Sequence, residues 1–284
     1  MRIADIGIEA AIDLLLPHFV AAGSLACRIQ DDIVRNGNRN GDAKTGDRFT
    51  EALTDADIAV ETYLATVLLT SFEDVSFYGE EYERDRVSAY FPKDAPYLVT
   101  LDPVDGTLYF KDGLPIFSTI LTICTGGAIA AAIVYQPREE RFYVAIKGKG
   151  ATTTTAADVA AGRAPMPHRL TTHGNVLLLG TNFRDRQDAF EQAGFEVVTP
   201  SVDYDGSLTW EKTSVRMLAG KIAGMAFSKA QLIDAGAIAF IAVEAGGKDN
   251  GPTYGSETRR AEPLIVGADP ETYDTIAGII AAQR

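Results

Sequence analysis

The chain has 284 residues and a formal net charge of −13, from 39 acidic and 26 basic side chains. That field repels a nucleic-acid polymer unless a local basic patch offsets it, and only short clusters such as Lys147-Gly148-Lys149 and Arg259-Arg260 stand in the sequence. Apolar residues at 46% and charged residues at 23% are the proportions of a globular protein, and no unbroken apolar run reaches the roughly 18 residues that span a bilayer.

The opening segment MRIADIGIEAAIDLLLPHF is acidic and amphipathic, unlike the basic lead of a signal peptide. Its spacing of Ile8, Ala11, Ile12, Leu15 and Leu16 predicts a helix over the first thirty residues. Residues 31 to 53 are polar and rich in Gly, Asn and Asp, which predicts a loop. A second helix is expected over Asp55 to Ser71. Short strand-like segments follow at Ser76 to Tyr78, Tyr97 to Leu101, Ser118 to Cys124, Ala128 to Tyr135 and Phe142 to Ile146. Thr125-Gly126-Gly127 reads as a hairpin, and the Gly148-Lys149-Gly150 turn is expected to end the sheet.

The second half alternates. Strands are expected at Asn175 to Gly180, Phe195 to Val198, Ile222 to Phe227 and Pro263 to Gly267. Helices are expected at Arg184 to Gln192, Gly206 to Lys221, Ile233 to Ala245 and Thr272 to Ala282. The reading is therefore an α+β half over residues 1–150 and an α/β half over 151–284, with the Thr/Ala-rich run Ala151 to Ala164 at the boundary. Two cysteines, Cys27 and Cys124, are too few for a disulfide framework and are expected to be reduced and buried, in a cytoplasmic protein.

Four acidic clusters fall at the ends of these elements: Asp55 with Asp57, Glu80 with Glu81, Asp102 with Asp105, and Asp234. Asp, Pro and Gly are also the residues of a solvated turn, and Asp at a helix start is an ordinary N-cap. A surface reading and a metal-site reading both stay open on spacing alone. If the substrate is anionic, an acidic protein supplies the opposing charge most simply through bound cations.

The order of the clusters carries a resemblance. The stretch Asp102-Pro103-Val104-Asp105-Gly106-Thr107-Leu108-Tyr109-Phe110, preceded by Gly79-Glu80-Glu81 and by the T-x-x-D-x-x-V-E pattern Thr54 to Glu61, resembles the inositol monophosphatase family. That family lies within the lithium-sensitive, magnesium-dependent phosphatases that include fructose-1,6-bisphosphatase. Downstream, Ile233-Asp234-Ala235-Gly236 and Glu244-Ala245-Gly246-Gly247 resemble its W-D and EAGG segments. The resemblance covers nearly the whole chain.

It implies the layered αβαβα sugar-phosphatase sandwich, a phosphomonoesterase activity, two or three Mg2+ ions and commonly a homodimer. Residue by residue, it implies one ion at Glu80, Asp102 and the Val104 carbonyl, and a second at Asp102, Asp105 and Asp234. A weaker third would involve Glu80 and waters near Asp57. Asp57 and Thr107 would orient the attacking water, Glu80 would help lower its pKa, and Gly106 and Thr107 would meet the phosphate. The resemblance also implies that a loop holding Lys44 closes over the site, on a loose residue match.

The substrate side departs from the pattern. An acidic residue about seven positions before the W-D aspartate is replaced by Phe227, the W-D tryptophan by Ile233, and the small-residue pocket segment by Ser207 to Glu211 with bulky Trp210. Core packing and a pocket reshaped for a flat or partly apolar ester both stay open there. Histidinol phosphate, 3′-phosphoadenosine 5′-phosphate and fructose 1,6-bisphosphate are alternative substrates on the same scaffold. A regulatory binding protein is the alternative from another class. His18, His168 and His173 fall in no motif and read as surface or structural.

Overall fold

The computed structural model describes residues 1–36, 55–81, 87–171, 174–204, 212–228, 230–251 and 262–282. In chain order the elements are α1 (Ile3–Ile6), α2 (Ile8–Asn36), α3 (Asp55–Ser71), β1 (Val75–Gly79), β2 (Tyr97–Asp105), α4 (Thr107–Lys111), β3 (Ser118–Thr125), β4 (Ala128–Gln136), β5 (Arg141–Ile146), β6 (Gly150–Thr155), α5 (Ala156–Ala160) and β7 (Met166–His168). They continue with β8 (Val176–Leu179), α6 (Gln187–Gln192), β9 (Glu196–Val198), α7 (Pro200–Asp203), β10 (Ile222–Phe227), α8 (Ala237–Glu244), β11 (Lys248–Asp249), β12 (Leu264–Gly267) and α9 (Pro270–Ala281).

Strands β1 to β7 lie side by side in chain order; β1–β2 is parallel and every later pair antiparallel. A second sheet runs β11-β12-β10-β8-β9, with β8 parallel to both its neighbours. Successive side chains of a strand point to opposite faces, so each sheet sorts its residues into two cores. Leu121, Ile133 and Tyr135 of the first sheet join α2 and α3, while Ile120, Ala132 and Val134 join α8. On the second sheet Leu178 faces α8, and Leu177 and Leu179 face Phe190 of α6 and Ile276 of α9. The five layers are helices, sheet, α8, sheet, helices: the αβαβα sandwich. Helix α8 is apolar all round because it has a sheet on each side.

Helix α2 is long and apolar enough to cross a membrane by length and composition alone. Its buried face, Ala11, Ile12, Leu15, Phe19, Ala22 and Ala26, forms part of the first core instead.

Several boundaries differ from the sequence reading. The N-terminal helix is two helices, because Gly7 takes φ +84° between them, and α2 runs on to Asn36 into the expected loop. The first sheet does not end at Gly148–Gly150. The threonines of β6 are β-branched and extend it past residue 150, and β7 closes its edge. Within the expected helix from 206 to 221, the described part holds only a 3-10 turn at Ser214–Met217. The helix expected from Ile233 opens with a π-helical turn at Leu232–Gly236. Cys124 is buried as expected, but Cys27 is only half-buried; both are free thiols.

Candidate active site

Asp102 of β2 stands opposite Ile120 of β3, and Asp105 opposite Ser118. Three steps along β2 therefore match two along β3, so β2 carries one extra residue there. In a regular strand, residues three apart project to opposite faces; one inserted residue returns them to the same face. Pro103 suits that position because it has no N–H to withdraw from the ladder. Its carbonyl accepts the Thr119 hydroxyl at 2.9 Å. The neighbouring Val104 N–H donates to Asp102 Oδ1 at 3.0 Å, which fixes the carboxylate.

Gly106 follows with φ +90°, a left-handed conformation that favours glycine, and a Cβ there would lie 3.1 Å from the Ile116 carbonyl oxygen. The sharp turn starts α4 at Thr107. The Thr107 hydroxyl lies 3.0 Å from the Val104 carbonyl and 3.4 Å from Asp57 Oδ1, so its single proton favours the closer Val104 contact. Asp57 is buried in the first turn of α3.

Glu80 follows directly from β1, and its N–H continues the parallel ladder by donating to the Leu101 carbonyl at 3.0 Å. Gly79 before it is required by packing. A Cβ there would come within 2.3 Å of the Glu61 carboxyl carbon, whose Oε2 accepts the Glu81 N–H at 3.0 Å. Glu61 and Asp57 are one helical turn apart on α3, and both are buried. The α3 helix thus clamps the Gly79-Glu80-Glu81 turn while holding Asp57 near Thr107.

Asp234, in the π-helical turn, brings the second half of the chain to the same place; its Oδ1 accepts the Ala235 N–H. Burial raises the Asp102 carboxyl far above the usual range, with Glu80, Asp105 and Asp234 adding repulsion. Asp105 is pushed up to about 7 by burial and then by Asp234. Glu80 is also pushed up to about 7, first by its protein surroundings and then by Asp57, Asp234 and Glu81, against a lowering hydrogen bond with Asp102. Its side chain reaches solvent at the cavity mouth, so that shift is weakened by screening. Every charge acting on these three groups, among the described residues, is another carboxylate.

The cavity beside them has a volume of about 370 Å³ and is lined by Glu80, Asp102, Val104, Asp105, Gly106, Thr107, Phe227 and Asp234, among others. Asp57 is reached through Thr107. Trp210 and Lys44 lie outside the described residues. Hard oxygen donors whose charges, among the described residues, repel one another are the chemistry of a magnesium site, so the residues fit Mg2+. No group of three or more of the described His, Cys, Asp or Glu side chains is arranged to hold one ion by itself. Asp102 and Asp234 instead accept hydrogen bonds from nearby backbone N–H groups.

Some residues around the site carried no sequence signal. Ser118 and Thr213 line the cavity with buried hydroxyls, and isolated Ser and Thr residues are common everywhere. Glu61 had one, since two buried acids four residues apart on an apolar helix need a reason. Glu244 of the EAGG segment lies away from the cavity and accepts the Gly148 and Gly150 N–H groups, both at 3.0 Å. His18 bonds the Tyr63 hydroxyl at 2.9 Å, and His168 packs edge-on to Tyr143; His173 lies outside the described residues.

Residues 17–284 match the model of the inositol monophosphatase family. "Nus factor SuhB" of Pasteurella multocida is 30% identical over 128 residues, covering 44% of this chain and 46% of that protein. "Inositol monophosphatase" of Dictyostelium discoideum is 32% identical over 101 residues, 36% of each chain. The matched stretches span less than half the length of these two curated relatives. In fold, the chain is similar to the extragenic suppressor protein suhB of Bartonella henselae, with a TM-score of 0.69 and 19% identity over 97% of this chain and 99% of that one.

Proposed function

The chain belongs to the inositol monophosphatase family, and on that premise we propose that it is a magnesium-dependent phosphomonoesterase acting on a small phosphate ester. The observation that carries the reading is the β2 bulge, which aligns Asp102 and Asp105 beside Glu80 and Asp234; among the described residues, every charge acting on Asp102 is another carboxylate. When bound, magnesium supplies the positive charge that neutralises carboxylates and phosphate and makes water more acidic.

Glu80, Asp102, Asp105, Asp234 and the Val104 carbonyl are the groups that would hold two or three ions. Gly106 and Thr107 border the place of the phosphate. Asp57 and the Thr107 hydroxyl orient the attacking water, and Glu80 with the cation it would hold lowers that water's pKa. The water oxygen bonds to phosphorus as the ester P–O bond breaks, and the departing oxygen takes a proton from solvent. No covalent phosphoenzyme is needed.

Phosphate release from a panel of esters at millimolar magnesium tests the reading. Asp102→Asn keeps the side-chain oxygen that accepts the Val104 N–H but loses the charge. Turnover is expected to fall by about 10³-fold or more, with the thermal melt retained. Retained turnover would remove Asp102 from the mechanism. The likeness to a protein named Nus factor favours a second reading, a regulatory binding protein. Wild type that releases no phosphate from any ester would put that reading ahead.

A further inference from the structure

This inference rests on the phosphatase reading and concerns how the Gly106–Thr107 turn is held in place. Helix α4 has five residues, too few to be stable by itself, so its place depends on what it meets. Leu108, Tyr109 and Phe110 are buried, but apolar packing alone is not directional. The Phe110 N–H donates to the Gly106 carbonyl at 3.0 Å, so the end of α4 is bonded directly to the glycine that precedes Thr107. Whatever fixes Phe110 therefore also fixes Gly106, roughly 6 Å away along the helix.

Gln30 of α2 is 1% exposed and reaches that end of α4. Its Nε2 donates to the Phe110 carbonyl at 3.0 Å and to the Leu114 carbonyl at 2.8 Å. Its Oε1 accepts from Arg138 Nε at 2.9 Å and from a terminal nitrogen of the same guanidinium at 2.7 Å. A guanidinium only donates, so it holds the amide oxygen and turns both amide protons toward the two carbonyls. Arg138 is held in turn by Asp31 at 2.6 Å and by the Cys27 carbonyl at 3.3 Å. One helical turn beyond Gln30, Val34 packs against the same segment. A Cβ at Gly113, which takes φ +77°, would lie 2.7 Å from Val34 Cγ2. A glutamine is seldom fully buried, and a buried polar network with its partners all met rigidifies what it joins.

We propose that Gln30, oriented by Arg138, is a positioning residue that braces α4 from behind and so sets the place of Gly106 and Thr107. It lines no part of the carboxylate cavity, so it acts only through α4. A loosened turn would misplace the attacking water while the cations still held the phosphate. The loss therefore falls on kcat rather than on KM.

The test uses Gln30→Met, which keeps the length and loses every hydrogen bond, and Arg138→Met, which leaves the Gln30 donors in place. Gln30→Met is expected to lower kcat about tenfold or more with KM within about threefold, well below its melting temperature. Arg138→Met is expected to lower kcat about threefold to tenfold. The double variant is expected to fall no further than Gln30→Met, because the two side chains act as one unit. Glu244→Ala, whose bonds lie away from the cavity, is the control that loses melting temperature with kcat within about twofold.

Amide hydrogen exchange over residues 107–114, read by mass spectrometry without substrate, follows the brace without turnover. It is expected to speed up about tenfold in Gln30→Met and to stay unchanged in Glu244→Ala. A kcat within about twofold of wild type in Gln30→Met overturns the proposal. So does exchange that is unchanged over 107–114, or that quickens equally across the chain. Should Gln30→Met fail to fold, Arg138→Met decides by the same two readouts. If wild type hydrolyses no ester, the phosphatase reading fails instead, and the exchange measurement still decides the brace.

Discussion

Replacing Asp105 with asparagine moves stability and catalysis in opposite directions. The Asp105 carboxyl is held up to about 7 from an ordinary 3.8, first by burial and then by Asp234. In the unfolded chain it loses its proton near the ordinary value. Between the two values the folded protein binds a proton that the unfolded chain has released. Stability therefore falls as pH rises through that window, and the loss is complete above about 7. Three pKa units at about 1.4 kcal/mol each give about 4 kcal/mol. Asp105 is only partly buried, and solvent screening reduces this to about 2 kcal/mol.

Asparagine has no charge to confine. Without metal, Asp105→Asn is expected to be about 2 kcal/mol more stable than wild type near pH 8 and within about 0.5 kcal/mol of it near pH 4.5. Urea denaturation in EDTA at the two pH values reads the difference. Magnesium should raise the midpoint of wild type far more than that of the variant, because only the full cluster offers it all its charge. Phosphate release by the variant is expected to fall about 10³-fold. A variant less stable than wild type near pH 8 without metal would refute the reasoning, since the carboxylate would then be stabilising the fold.

Three further outcomes follow from the packing. Gly79→Ala drives a methyl group into the Glu61 carboxylate and is expected to cost about 2–4 kcal/mol by thermal melt while lowering phosphate release, because Glu80 shifts with its neighbours. Glu244→Ala frees the Gly148 and Gly150 N–H groups and is expected to cost about 1–2 kcal/mol with turnover within about twofold; a large fall in kcat would mean the hairpin tie reaches the cavity. His168 is held below its ordinary 6.5 by burial and then by Arg141, so the folded state resists its proton and stability is lost as pH falls below about 6.5. His168→Gln should flatten that slope between about pH 7 and 5, and an unchanged slope would assign it to other groups.

The metal end of the site was legible because its chemistry is local. Asp102, Asp105, Gly106 and Thr107 fall within six consecutive positions, and Pro103 between the aspartates marks the place where a strand can bulge. The layered fold was legible where strands alternate two cores, as in β3 and β4, and where α8 is apolar on every side. It was misread where composition hid periodicity. The Thr/Ala run taken for a boundary holds β6, because β-branched threonines build an edge-side strand without an apolar stripe.

The apolar lining of the cavity was legible only in part, and the reason is geometric. Leu178, Leu179, Val215 and Phe227 come from three separated segments, and each alone looks like the core of its own element. Phe227 stood out only through the acidic residue it replaces in a family pattern, which tells what is missing and not what is gained. What is gained depends on neighbours: Gly180 lies beside the Phe227 ring, and a Cβ there would sit 3.5 Å from its Cδ1, an ordinary packing contact. The carboxylate end is thus written largely along one short segment, while the opposite lining is assembled only when β8 and β10 lie side by side. The two ends of the cavity are therefore separate in the chain: the carboxylates come from the β1 and β2 ends and the π-helical turn, and Phe227 from the end of β10.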